Sequence, residues 1–521
     1  MKRFLFLAMS ACFICGGNAQ SFGWTQMSNS PTPTLRMDDI HFIDETNGWA
    51  AGGGAGTIYR TTNGGTTWNL KLNKGTGTHF RSIGFASATR GFAGNLGAGS
   101  YDGSTTDTNV LYQTFDGGDN WAVVPGLGEQ GMKGFCAFHV LDSQHIYGAG
   151  RVRGPAIFVK SENAGTNWTV VDLTAAGVMN GLMDVYFKDA TNGFVVGMDT
   201  NSYASGLYHG SIARTTNGGL TWAVVASTTQ PTCYFWKMSW PTPEVGYVSL
   251  QQNGPMTNHI FYKTTDGGNS WVSNGIPFTQ IQGTTTFYSQ GIGFVNANDG
   301  WVGGSSSTSP YAINFLQTTN GGLTWATNGY NNSRSINRIR FLSPVFGYAS
   351  GSRLHVFRAP LGIARQPQNQ WVTKSANATL SIDAVGNNPI TYQWRKSGVA
   401  IFNATNATLI LTNVARTNSG SYSVLISNSF TNLVSSNAVL RVLFPQKLQT
   451  PVNLTDKVKL LFGDSDGALL TTNELGNFEV QASTNLNDWS PLTNVLSLTN
   501  GFMLLEDTKD ADYKFYRVLE R

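Results

Sequence analysis

Cysteine is nearly absent from this chain: four residues in 521. That excludes a disulfide-stapled scaffold, which needs bridges in place of a large core. Charge is also sparse, at 12% of residues, with 34 basic against 30 acidic. Removing Lys2 and Arg3 leaves 32 minus 30, a net of about +2. That balance is too weak for a nucleic-acid or membrane-surface partner. No cysteine–histidine spacing suggests zinc, and neither a phosphate-binding loop nor a dinucleotide fingerprint occurs. No cofactor and no metal is therefore expected. Past the first twenty residues, no apolar run is long enough to cross a bilayer, so no transmembrane segment is expected in the mature chain.

The N-terminus carries a short apolar run. Lys2 and Arg3 precede Phe4-Leu-Phe-Leu-Ala-Met9, and Gly17-Asn-Ala19 offers small residues for cleavage. This predicts a secretory signal over 1–19, with Gln20 as the mature start. Cys12, after Met9-Ser-Ala, leaves lipid attachment open as an alternative. The expected location is extracellular or on the cell surface, with the periplasm as the other choice.

What the chain has in abundance is glycine, serine, threonine and asparagine, and one phrase repeats six times. It begins at Thr61, Thr114, Ser161, Thr215, Thr264 and Thr318. Each copy reads [Ser/Thr]-x-[Asp/Asn]-x-Gly-x-x-Trp. The polar position is Asn63, Asp116, Asn163, Asn217, Asp266 and Asn320; the aromatic is Trp68, Trp121, Trp168, Trp222, Trp271 and Trp325. Successive tryptophans lie 53, 47, 54, 49 and 54 residues apart. A period near fifty marks an array of small β units. Asp or Asn can bond backbone N–H groups two residues on, and glycine supplies positive φ, so the phrase is a hairpin turn. The indole is expected to be buried between neighbouring sheets.

These residues resemble the Asp-box, or BNR repeat, of sialidases, sortilin-type receptors and photosystem II assembly-factor propellers. The form Arg-Thr-Thr-Asn-Gly-Gly-x-Thr-Trp, at Arg60 and Arg214, is most similar to the photosystem II stability/assembly-factor family. The resemblance covers nearly all of 24–358. It implies a propeller whose Asp-box residues build the fold, and a chaperone-like or scaffold role.

A second phrase gives the unit count. An apolar strand enters Gly48-Trp49, Gly91-Phe92, Gly193-Phe194, Gly246-Tyr247, Gly300-Trp301 and Gly347-Tyr348, and Ile146-Tyr147 is a variant without glycine. Seven units thus stand against six turns. Trp24 lies 24 residues before Gly48, close to the other Trp-to-Gly gaps of 22 to 29. The chain start is expected to supply the outer strand of the last unit, pairing near Val356 and removing an open edge. The expectation is an all-β chain with a seven-bladed β-propeller over 20–358. Cys136 and Cys233 fall on two non-adjacent units, so two buried free thiols are expected rather than a bridge.

Beyond Arg358 the pattern changes. Ala378–Ile382, Tyr392-Gln-Trp394 and Asn418-Ser-Gly-Ser-Tyr422-Ser-Val424 resemble strands B, C and F of an immunoglobulin-like β-sandwich over 363–443, with Trp394 buried and Tyr422 as the tyrosine corner. Ile382 and Val424 stand where antibody-type domains place cysteines. The tail, 446–521, alternates again and is expected to form a small C-terminal β-sandwich. Its Ser483-Thr-Asn-Leu-Asn-Asp-Trp489 is similar to C-terminal modules of secreted planctomycete-type and verrucomicrobial proteins. Asp464, Asp466 and Gly467 offer half of a calcium loop, and a solvated turn is the favoured alternative.

Aligning the units places Arg36, Asp38, Asp39, His79, Arg81, Asp184, Tyr234, Trp236, Lys237, Tyr288, Gln290, Asn337, Arg338 and Arg340 near one axis. Arg36, Asp38, Arg81, Tyr234, Trp236, Lys237 and Arg338 are the candidate binding set for a protein or glycan at the channel mouth. The alternative is that these charges pair with one another around water. The function expected is a non-enzymatic binding or assembly protein, acting as a monomer. The competing reading is a sialidase-like or xyloglucanase-like glycoside hydrolase, for which Asp38 or Asp39 with Asp184 would be the carboxylates. Only four glutamates, Glu45, Glu129, Glu162 and Glu244, lie in 20–358, and none falls on an inner strand of the alignment. No catalytic residue is assigned.

Overall fold

The computed structural model describes residues 23–520 apart from 32–35, 100–104, 201–205, 253–257, 278–286, 307–314, 328–334, 494–495 and 511–513. The expected signal segment 1–19, Cys12 and Gln20 lie outside the described residues. The chain divides into two compact units, one ending at Pro360 and the other beginning at Leu361. Among the described residues the structure is all β, with short 3-10 turns at Arg416–Asn418 and Thr472–Asn477.

The first unit contains seven four-stranded antiparallel sheets. Their lead strands are Met37–Phe42, Phe80–Phe85, Ala137–Val140, Gly181–Phe187, Cys233–Ser239, Phe287–Phe294 and Ile336–Ser343. Each lead strand packs against the lead strand of the next sheet, and the seventh packs against the first. Six sheets take their four strands in sequence order. In the seventh, the outer strand is Gly23–Gln26, antiparallel to Leu354–Arg358 with Trp24 opposite Phe357 and Thr25 opposite Val356. Trp24 stacks on Phe315 at 4.7 Å and meets Trp301 edge-on at 6.0 Å. Those contacts anchor the chain start to the sixth and seventh sheets.

The glycine of the second phrase has a packing cause. The apolar residue that closes each lead strand lies across it. A Cβ at Gly48 would sit 2.6 Å from the Phe42 ring, and one at Gly193 would sit 2.6 Å from Phe187. In the third sheet the closing residue is Val140, which pairs with Ile146. With no aromatic ring to accommodate, a side chain fits there.

The repeated turns join the third and fourth strands of six sheets, and all six use the same bonds. The Ser/Thr hydroxyl accepts from the glycine N–H four residues on, at 2.8–2.9 Å. The Asn/Asp oxygen accepts from the N–H four residues on, at 2.8–3.0 Å. This corrects the expected reach of two residues. It also corrects the expected burial: Trp325 is buried, but Trp68, Trp121, Trp168, Trp222 and Trp271 are partly exposed. Each indole stands on edge against an aromatic below it, as Trp222 does against Phe187 at 88° and Trp121 against Phe85 at 89°.

The second unit holds two separate cores. One gathers Leu380, Ile382, Trp394, Tyr422, Val424 and their neighbours between a six-stranded sheet and two facing strand pairs. Ile382 and Val424 are both buried, so packing fills the two positions that antibody-type domains give to cysteines. Tyr422 donates its hydroxyl to the Asn418 carbonyl at 2.6 Å, making the expected corner. The other core, around Leu460, Phe462, Val480 and Leu505, lies in the tail. There Ser483 and Asn485 bond the turn as in the six repeats, with Leu486 at φ +63° and the Trp489 indole donating to its carbonyl. Arg416 pairs with both Asp464 and Asp466, so a guanidinium occupies the space between the half-loop's carboxylates. Cys136 and Cys233 are both free and buried.

Candidate functional site

A β-bulge breaks the register of the lead strand in six of the seven sheets. Strict alternation sends neighbouring side chains to opposite faces; a bulge re-aims one of them. That is why Asp38 and Asp39 are both fully buried. The lead strands therefore bring three successive layers of side chains together.

The first layer comes from the bulges: Asp38, Arg81, Met183, Trp236, Gln290 and Asn337. Asp38 is bonded by Arg36 at 2.6 Å, Arg81 at 2.7 Å and His79 at 2.6 Å. Burial raises its pKa, but the charges of Arg36, Arg81 and His79 outweigh that and hold it far below the usual carboxylate range. Arg81 lies 5.0 Å over the Trp236 ring. The Trp236 indole donates to Asn337 at 2.8 Å, and Asn337 donates to the Asp38 carbonyl. Arg36 also reaches Gln290 at 3.0 Å, which bonds Gln251, which in turn donates to Tyr234 at 2.8 Å.

The second layer is an ion-pair set. Arg338 donates to both oxygens of Asp184 at 2.9 Å and to Asp39 at 3.1 Å. Burial raises the pKa of Asp184, but Arg338, Lys237 and the Met238 N–H together lower it. Burial and the charge of Arg338 push Lys237 down to about 7. Its ammonium donates to the Met183 carbonyl at 2.9 Å.

Six members of the candidate set, Asp38, Arg81, Tyr234, Trp236, Lys237 and Arg338, are thus brought together and buried, with Arg36 at their edge. They spend their charges on one another, as the alternative reading anticipated. The proposed carboxylate pair is not a pair: Asp38 and Asp184 belong to separate clusters, each held by its own cations.

The third layer was not singled out. It occupies the position just before the closing residue of each lead strand: His41, Gly84, His139, Tyr186, Ser239, Gly293 and Arg340. Each lies opposite the second residue of its partner phrase, as His41 does Trp49 and Arg340 does Tyr348. These residues, with Phe138, Trp240, Phe294 and Phe341, line a cavity of about 280 Å³ above Asp184 and Arg338. Arg340 bonds the carbonyls of Ile40 and Phe138 at 3.1 and 3.2 Å. Burial, with Arg340 nearby, lowers His41 to about 3 and His139 to about 4, so both rings are neutral at pH 7. The sequence signal was available in the regular place before Phe42, Phe187 and Phe341.

Against known proteins, the family model for an immunoglobulin domain matches residues 362–428. No curated protein matches the chain. Among solved structures, the chain is similar to a titin M10–obscurin-like 1 Ig complex, with 24% identity, a TM-score of 0.16, and 17% of this chain and 96% of that one covered. It is also similar to the two-domain structure Rst D1-D2 (15% identity, TM-score 0.21, 31% and 85% covered). A third is the Ig1-2 module of Drosophila receptor protein tyrosine phosphatase DLAR (18%, 0.15, 31% and 91%). Scores this low carry no argument by themselves. The family match and the Trp394–Tyr422 core carry the conclusion that residues 362–428 form an immunoglobulin-like domain.

Proposed function

We propose that this protein is a secreted or cell-surface scaffold that binds a partner and does not cleave it. Its first unit is a seven-bladed Asp-box propeller of the photosystem II assembly-factor type, without any implication of photosynthesis. The contact succession that returns from the seventh lead strand to the first supports the propeller, as does the outer strand supplied by the chain start. The leader-like segment supports export. An immunoglobulin-like domain appended to such a unit suits a binding role.

The observation that carries the reading is the state of the central carboxylates. Asp38 and Asp184 are ion-paired and have lowered pKa values. A general acid needs the opposite, a carboxyl whose pKa is raised toward the working pH. Their environment suits them to hold the lead strands together, and it disfavours the glycosidase alternative.

The test is a glycan and peptide array beside a panel of chromogenic glycosides, run on the whole exported chain. Saturable binding without turnover is the expected outcome. Turnover that is lost in a folded Asp184→Asn variant would replace this account with the hydrolase.

A further inference from the structure

The cavity in front of the third layer is rich in donors. In His139, Nδ1 accepts the Phe187 N–H at 3.2 Å, so the neutral ring carries its proton on Nε2. In Ser239, Oγ accepts the Phe294 N–H at 2.9 Å, which leaves the hydroxyl proton to donate. Arg340 uses two of its N–H groups on the Ile40 and Phe138 carbonyls, and its side chain is 21% exposed. Donors of this kind call for a ligand that brings acceptors.

The charge beneath the cavity points the same way. Among the described residues, Arg36, Arg81, Arg338 and Arg340 share only Asp38, Asp39 and Asp184. Four guanidiniums face three carboxylates, before Lys237 is counted. Arg340 is the outermost of the four, and its ion-pair distance to Asp39 is long, at 3.5 Å. An anion in the cavity would balance this excess where water is partly excluded.

The walls set the ligand's body. Tyr186 and Trp240 stack at 5.5 Å with an 8° tilt, and Phe138, Phe294 and Phe341 complete an aromatic surround. A volume of about 280 Å³ admits one ring rather than a folded segment.

We infer that this cavity binds a carboxylate borne on a single six-membered ring, with the carboxylate on Arg340, His139 and Ser239 and the ring against Tyr186 and Trp240. The inference deepens the binding role proposed above and rests on it. Two sources share this chemistry: an acidic sugar residue and a free aromatic carboxylate.

Calorimetric titration of the whole exported chain separates them. The probes are methyl β-glucuronide against methyl β-glucoside, and benzoate against benzamide. At least one acid should bind no less than tenfold more tightly than its neutral partner. Glucuronide alone assigns the acidic sugar, benzoate alone assigns the free carboxylate, and both together assign a site that reads the carboxylate itself. Arg340→Ala should abolish the preference for the acid, and Arg340→Lys should restore part of it.

Equal affinity for acid and neutral partner, or no binding by any probe, overturns the inference, and wild type alone decides this if the variants fail to fold. An unchanged acid preference in folded Arg340→Ala overturns it as well. Array binding that persists in any of these cases leaves the scaffold reading standing. Glycoside turnover would sink that reading without touching the carboxylate preference.

Discussion

Arg338 closes on Asp184 through two bonds of 2.9 Å, although 154 residues separate them in the chain. One residue lies on the seventh lead strand and the other on the fourth. Both are buried, so the pair must be satisfied or the interior pays the cost of an isolated charge.

Acid should weaken the first unit in two stages. The folded pKa values of His41 and His139 are lowered to about 3 and about 4, below the ordinary 6.5. His355 is lowered to about 3 by burial. The unfolded chain therefore takes up these protons first, and stability falls as pH drops from about 6.5 toward 4. Asp38 and Asp184 have depressed values. Their contribution holds above the unfolded value of 3.8 and is lost as pH falls further, through the depressed folded values. Urea unfolding at pH 7, 5 and 3 should show decline in both intervals. A flat response between 7 and 5 would contradict the histidine assignment.

The repeated turns should matter to stability and not to binding. Thr215→Val removes the acceptor for the Gly219 N–H and should cost about 1–3 kcal/mol. Trp222→Ala should cost about 2–3 kcal/mol, less than the roughly 3–5 for an enclosed aromatic, because Trp222 is partly exposed. Denaturation midpoints check the costs, and array binding by the folded fraction should be unchanged. Lost affinity with an unaltered midpoint would make the indole a contact residue.

Removal of the exported chain's first residues through Met27 should lower the melting temperature by several degrees or cause aggregation. It uncovers the edge of Leu354–Arg358 and strips Trp24 from Phe315 and Trp301. Trp24→Ala alone should give a smaller shift in the same direction. Unchanged stability in the truncated protein would mean that the outer strand does not hold the last sheet.

Much of this arrangement was legible because it is local. The six turns and the glycine before each aromatic repeat at fixed spacing, and each encodes a bond or a contact within one hairpin. Trp24 could be matched to the last unit because its distance to Gly48 fits the same spacing. The central site was only half legible. Alternation finds Asp39 and His41 on one face, but it cannot announce the bulge that turns Asp38 inward beside them. Nor does it say which cation meets which carboxylate. The Arg338 pairing with Asp184 depends on how far apart two strands of different sheets come to rest. The cavity layer was missed for a related reason: His41, Tyr186, Ser239 and Arg340 share a register position but no common chemistry.

The central claim is that side chains from separate sheets converge into a paired interior. The most direct test is a double-mutant cycle on Asp184→Asn and Arg338→Met, read by urea unfolding. Each single change leaves a buried charge short of its partner and should cost about 3–5 kcal/mol. The double variant should be markedly less destabilised than the sum, with a coupling of at least about 1.5 kcal/mol. Additive effects within about 0.5 kcal/mol would mean that the two residues do not meet, and the account of this interior would fail with them.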